Sequence, residues 1–180
     1  MKNKMKKSKK IIAIIVILTL ICVLGVCLVI WVFAPRAKSF KEYHISLEEG
    51  RTVSHNGITL QLPTDLVEDE PFYDTIVYRR PSSNNAGAES GVLIMAPLPA
   101  SEVASVEELC RDSSKTSGYD VYTYERENIC GHLEIFENKN GFLCYAYLFA
   151  PEDLSTCYCV AIQSNSMEQI SGILNSIEID

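Results

Sequence analysis

Histidine is scarce in this chain, with three among 180 residues, at positions 44, 55 and 132. His44, His55 and His132 do not pair at metal-ligand spacing, and neither HExxH nor CxxC occurs, so no zinc signature is present. GxSxG, SxxK and a phosphate-binding glycine loop are also missing, which removes the common signatures of serine acyl transfer and nucleotide binding. The sequence therefore assigns no catalytic residue, no metal ligand and no cofactor. His132 lies beside Leu133 in a strand-like run. It reads as a sheet histidine satisfied by its neighbours. There is no internal repeat.

Acidic residues are absent from the first 33 positions, although the chain has 23 of them. Six of its 16 basic residues are Lys2, Lys4, Lys6, Lys7, Lys9 and Lys10. The rest of the chain carries roughly −13, against −7 for the whole. An acidic domain repels phosphate backbones, so no nucleic-acid partner is expected.

Charge is missing altogether from residues 11–33. As a helix this run is about 34 Å long, enough to cross a hydrocarbon core of about 30 Å. A cleaved signal would have a shorter apolar region and a small-residue cleavage site. A lipoprotein signal at Leu24-Gly25-Val26-Cys27 is disfavoured by Val26 and by the apolar residues 28–33 that follow. The expectation is a single-pass signal anchor in a bacterial cell membrane, with the lipid bilayer as partner of residues 11–33. The lysine cluster would place the basic tail, residues 1–10, in the cytoplasm and the C-terminal domain outside.

Seven cysteines are present: Cys22 and Cys27 in the apolar run, and Cys110, Cys130, Cys144, Cys157 and Cys159 after it. Cys157 and Cys159 would lie about 6.5–7 Å apart at Cα in a flat strand, too far for an easy disulfide. Small buried thiols are expected instead. Asp65, Glu68, Asp69, Glu70 and Asp74 cluster without the ordered spacing of a calcium loop, so a solvated acidic loop is expected.

After a tether at 34–42, residues 43–180 form one extracytoplasmic domain with a mostly β pattern. YHISL (43–47), GITLQLP (57–63), TIVYRR (75–80) and GVLIMAP (91–97) read as strands. SEVASVEELCRDSS (101–114) has helical spacing, with Ser105 and Glu108 as a capping box. YDVYTYER (119–126), CGHLEIF (130–136), FLCYAYLF (142–149) and CYCVAIQ (157–163) return to strand, the last three as an antiparallel meander. SMEQISGILNSIEID (166–180) reads as an amphipathic helix with a capping box at Ser166 and Gln169. Leu133 and Ile135 point to one face and Phe136 to the other, so the sheet needs cover on both sides. The expected class is α+β: a transmembrane helix, then an antiparallel sheet flanked by helices in an α/β/α sandwich.

The order GITLQLP, SVEELC, a meander ending CYCVAI, and a terminal ILNSIEI resembles the PsbP-like fold. That family includes lumenal photosystem subunits and small bacterial secreted or lipid-anchored proteins. The resemblance implies a sheet flanked by helices and a non-enzymatic binding or assembly role. It carries over no functional residue. The expected function is a membrane-anchored binding or assembly domain with a protein partner at the membrane or envelope. The alternatives are an envelope hydrolase whose site no motif reveals and an accessory subunit of a membrane complex.

Overall fold

The computed structural model describes residues 38–40, 50–71, 74–81, 90–114, 118–139 and 141–180. The chain divides into two units, Met1–Arg36 and Ala37–Asp180, and the described residues belong to the second.

A nine-stranded sheet dominates. Its order is β1 (Lys38–Ser39), β8 (Asp120–Arg126), β9 (Ile129–Asn138), β10 (Gly141–Ala150), β11 (Asp153–Ser164), β6 (Gly91–Ile94), β5 (Ile76–Arg79) and β4 (Val67–Glu68). β7 (Leu98–Pro99) adds to the other end of β11. Pairing is antiparallel except between β1 and β8. The expected meander is β9–β10–β11: Phe136 faces Leu143 and Cys130 faces Phe149 across the ladder. Gly131 lies in β9 where a Cβ would sit 2.0 Å from the Tyr147 carbonyl oxygen.

A second sheet stacks on one face, in the order β12 (Glu178–Ile179), β3 (Ile58–Pro63), β2 (Gly50–His55). The β2–β3 hairpin turns at Asn56-Gly57, with φ of 51° and 82°. Two successive positive φ values make the tight turn that matches strand twist, and Asn-Gly is the dipeptide that tolerates it. Beside this sheet lies α2 (Met167–Asn175). Ile58, Leu60 and Leu62 of β3 join Ile170, Ile173 and Leu174 of α2 against Leu133, Ala146, Val160 and Ile162 of the large sheet. α1 (Val103–Ser114), entered through a 3-10 turn at Ala100–Glu102, covers part of the opposite face.

The α/β/α sandwich is therefore corrected to a mostly β architecture. One face of the large sheet is covered chiefly by a second sheet, because β2 and β3 form a hairpin that packs on the large sheet rather than joining it. The terminal helix also stops early, at Asn175. The Ser176 hydroxyl donates to the Ile173 carbonyl (2.7 Å) and accepts from the Gln61 N–H (2.8 Å). Beyond it, Glu178 and Ile179 pair with Thr59 and Ile58 as β12.

The single-pass anchor and the cell-membrane localisation are corrected as well. Among the described residues no helix is long and apolar enough to cross a membrane. α1 has 12 residues and α2 has nine, about 18 and 14 Å against a hydrocarbon core of about 30 Å. Residues 1–10 and 11–33, which carried that expectation, lie outside the described residues. So does the strand expected at 43–47. Within the expected tether, Lys38–Ser39 form β1 and Phe40 is buried in the core.

Candidate functional site

Two features share the sheet face beneath α1, and strand register explains both. Across that face one row of paired residues runs Val77, Leu93, Ala161, Tyr145, Glu134, Val121. The next row runs Arg79, Gly91, Gln163, Leu143, Phe136. On the β5–β6–β11 side the small residues Gly91 and Ala161 stand among Val77, Leu93, Arg79 and Gln163 and leave a hollow. On the β9–β10 side the rows contain tyrosine, glutamate and phenylalanine, and α1 packs there.

The hollow is a cleft of about 590 Å³. Val77, Leu93, Leu143 and Ala161 give it an apolar floor, and Cys110 of α1 lines its wall. Polar groups come from Ser90, Gln163, Tyr145 and Arg79. The Ser90 residue is 2% exposed, and its hydroxyl has no hydrogen-bond partner. Arg79 is largely exposed and contacts Asp69 at 3.4 Å. Burial pushes the Tyr145 phenol up, opposed by its 3.4 Å hydrogen bond with Ser113. Burial also pushes the Cys110 thiol up, so it stays protonated at neutral pH and is a poor nucleophile.

Beside the cleft is a charged seam. Helical spacing turns Val103, Val106, Glu107, Cys110 and Arg111 toward the sheet. Arg111 Nε donates to both carboxylate oxygens of Glu134, at 2.9 and 3.2 Å, and its Nη2 donates to Glu134 Oε1 and to Glu107 Oε2 (3.3 Å). These bonds to Glu134 hold the guanidinium above its usual range. Glu107 Oε1 lies 2.7 Å from His132 Nε2. The imidazole lies on the Tyr147 ring, with centroids 4.9 Å apart and planes 21° from parallel. Glu134 is fully buried, so its charge requires the pairing it has. Ligand atoms of Glu107, His132 and Glu134 all lie within 4.8 Å of one another.

His132 is a hydrogen-bonded sheet histidine, but its neighbours are two carboxylates that motif spacing did not reveal. The readable signals were Glu107 and Arg111 at i,i+4 on one helix and Glu134 as an isolated charge in an apolar strand. His55 is the half-buried last residue of β2, with its ring 3.0 Å from the Asn56 amide nitrogen. His44 is outside the described residues. The acidic cluster is divided among arginines: Asp65 pairs with Arg80 at 2.6 Å and Asp69 with Arg79. Cys110, Cys130, Cys144, Cys157 and Cys159 are all free thiols. Cys157 and Cys159 share a face with their sulfurs 3.8 Å apart, and that contact together with burial raises Cys159. No protein-family model matches this chain, and no curated protein is similar to it.

Proposed function

We propose that this domain is a non-enzymatic ligand-binding module whose cleft takes a small amphiphile. The apolar body would lie on Val77, Leu93, Leu143 and Ala161. An anionic or strongly hydrogen-bonding head would meet Arg79 and Gln163. The observation that carries this reading is the cleft itself, an apolar floor of Val77, Leu93, Leu143 and Ala161 with Arg79 and Gln163 beside it. The cleft also falls within the size range of small-molecule sites, mostly apolar with a few polar groups.

Binding is favoured over catalysis because burial here suppresses nucleophiles. The thiol facing the cleft and the nearby phenols are all shifted toward their protonated forms. A hydrolase would need one of these groups shifted the other way or paired with an activating base; Cys157, lowered by its contact with Cys159, is fully buried and does not line the cleft.

The test is titration of the full-length chain with an anionic fluorescent amphiphile, anilinonaphthalene sulfonate. One saturable site per chain is expected above any background from residues 11–33. Ala161→Trp should fill the cleft and abolish that site with an unchanged unfolding midpoint, and Arg79→Gln should weaken it about tenfold. Saturable binding that survives Ala161→Trp, or none in the parent chain, would overturn the proposal.

A further inference from the structure

We propose that Glu107, His132 and Glu134 form a divalent transition-metal site, and that Arg111 supplies the counter-charge when no metal is bound. The donors are two carboxylates and one imidazole, brought together by β9 and α1. His132 and Glu134 alternate onto one face of β9, and Glu107 reaches down from the helix. Metal bonds to nitrogen and oxygen are about 2.0–2.2 Å, so donor pairs around one ion stand roughly 3–4 Å apart. A mutual separation within 4.8 Å needs only small side-chain closure.

Charge balance points the same way. Glu107 and Glu134 carry two negative charges and Arg111 one positive, which leaves the buried seam one charge short. A divalent ion taking the place of Arg111 would bring the two carboxylates to neutrality. Arg111 is free to yield its place: its side chain is 36% exposed. Its guanidinium already lies over the Tyr119 ring at 4.9 Å, a resting position for a displaced cation. Glu134 has no such freedom, being fully buried. Both of its carboxylate oxygens accept from Arg111 Nε.

A second observation is independent of the carboxylates. Tyr147 is 1% exposed, its ring lies on His132, and its hydroxyl interacts with Cys110, so the stacked ring fixes the imidazole beside the carboxylates. The nitrogen and oxygen donor set suits zinc, manganese or cobalt rather than copper(I), and the imidazole disfavours calcium.

The experiment titrates the full-length chain with Zn²⁺ and Co²⁺ by calorimetry, absorbance and thermal unfolding. One ion per chain and a raised unfolding midpoint are expected. The Co²⁺ spectrum should lack a thiolate charge-transfer band, which separates this site from the five free cysteines. Glu107→Gln and His132→Ala should each weaken binding at least 100-fold. Arg111→Met is the decisive variant. Without metal it leaves Glu134 unpaired and lowers the midpoint. With Zn²⁺ the midpoint should return to the parent value, and affinity should rise at least tenfold because the competing cation is gone. If Arg111 is only a structural partner, Zn²⁺ will not rescue Arg111→Met. That result, binding that survives His132→Ala, or no saturable binding in the parent chain would each overturn the proposal.

Discussion

Cys144 shows how strongly single side chains feel this interior. It is fully buried in the main core, and burial pushes its thiol from 9.0 up to about 12. The unfolded thiol ionises first. Stability that depends on the neutral form is therefore complete below about pH 9 and lost as pH rises toward 12. Cys110, Tyr145 and Tyr147 shift in the same direction, each chiefly through burial. Urea unfolding should show a constant midpoint from pH 7 to about 8.5 and a steep fall above pH 9. Cys144 alone would contribute on the order of 4 kcal/mol of that fall by pH 12. Cys144→Ala should unfold more easily at pH 7 and show a shallower alkaline slope. Gly131 expresses a different constraint. Its missing Cβ is what allows β9 and β10 to pair closely beside Tyr147, next to His132 of the charged seam.

Among the elements, α2 depends on its first turn. The Ser166 hydroxyl accepts from the Gln169 N–H at 3.3 Å, as a capping box requires. The return bond is relayed: the Ser166 N–H donates to Ser164 Oγ at 3.1 Å, and Ser164 Oγ donates to Gln169 Oε1 at 2.5 Å. Ser166→Ala should cost about 1 kcal/mol, read as a lower urea midpoint with an unchanged denaturant slope. The box expected at Ser105 and Glu108 does not form, because α1 begins at Val103 and Ser105 lies inside it. Period-two alternation and bounding glycines or prolines made β3, β5, β6 and the β8–β11 meander legible. β2 was not legible, because GRTVSH is mostly exposed and has no apolar alternation. Its only local signal was the Asn-Gly turn. β12 was concealed by Ile173, Leu174 and Ile177, which continue a helical period past the point where Ser176 ends the helix. The cleft could not be read at all. It depends on Gly91, Ala161 and Val77 falling in adjacent rows, which is a property of register between strands distant in sequence.

For the molecule as a whole, the exposed ends of the large sheet matter most. Both edge strands, β1 and β4, are two residues long, and short edges discourage pairing between molecules. β1 is held by Phe40, which is 8% exposed. Its ring meets Tyr122 edge-on at 5.8 Å, and its N–H donates to the Thr123 carbonyl. Phe40→Ala should cost about 3 kcal/mol or more. It should also loosen β1 and bare the seven-residue edge of β8. The expected result is a lower urea midpoint together with concentration-dependent association in light scattering. Normal stability with association unchanged would remove β1 from this role.

The same edge decides how the domain meets mechanical load. Tension between residue 37 and Asp180 acts first on the two short pairings at the ends, β1 with β8 and β12 with β3. The nine-pair ladder between β9 and β10 lies deeper in the sheet. The N-terminal rim lies across β8 from His132, since Ser39 pairs with Thr123 and Thr123 with His132. A pull at that end would peel β1 from β8 while the β9–β10 ladder beneath the cleft and seam stayed paired.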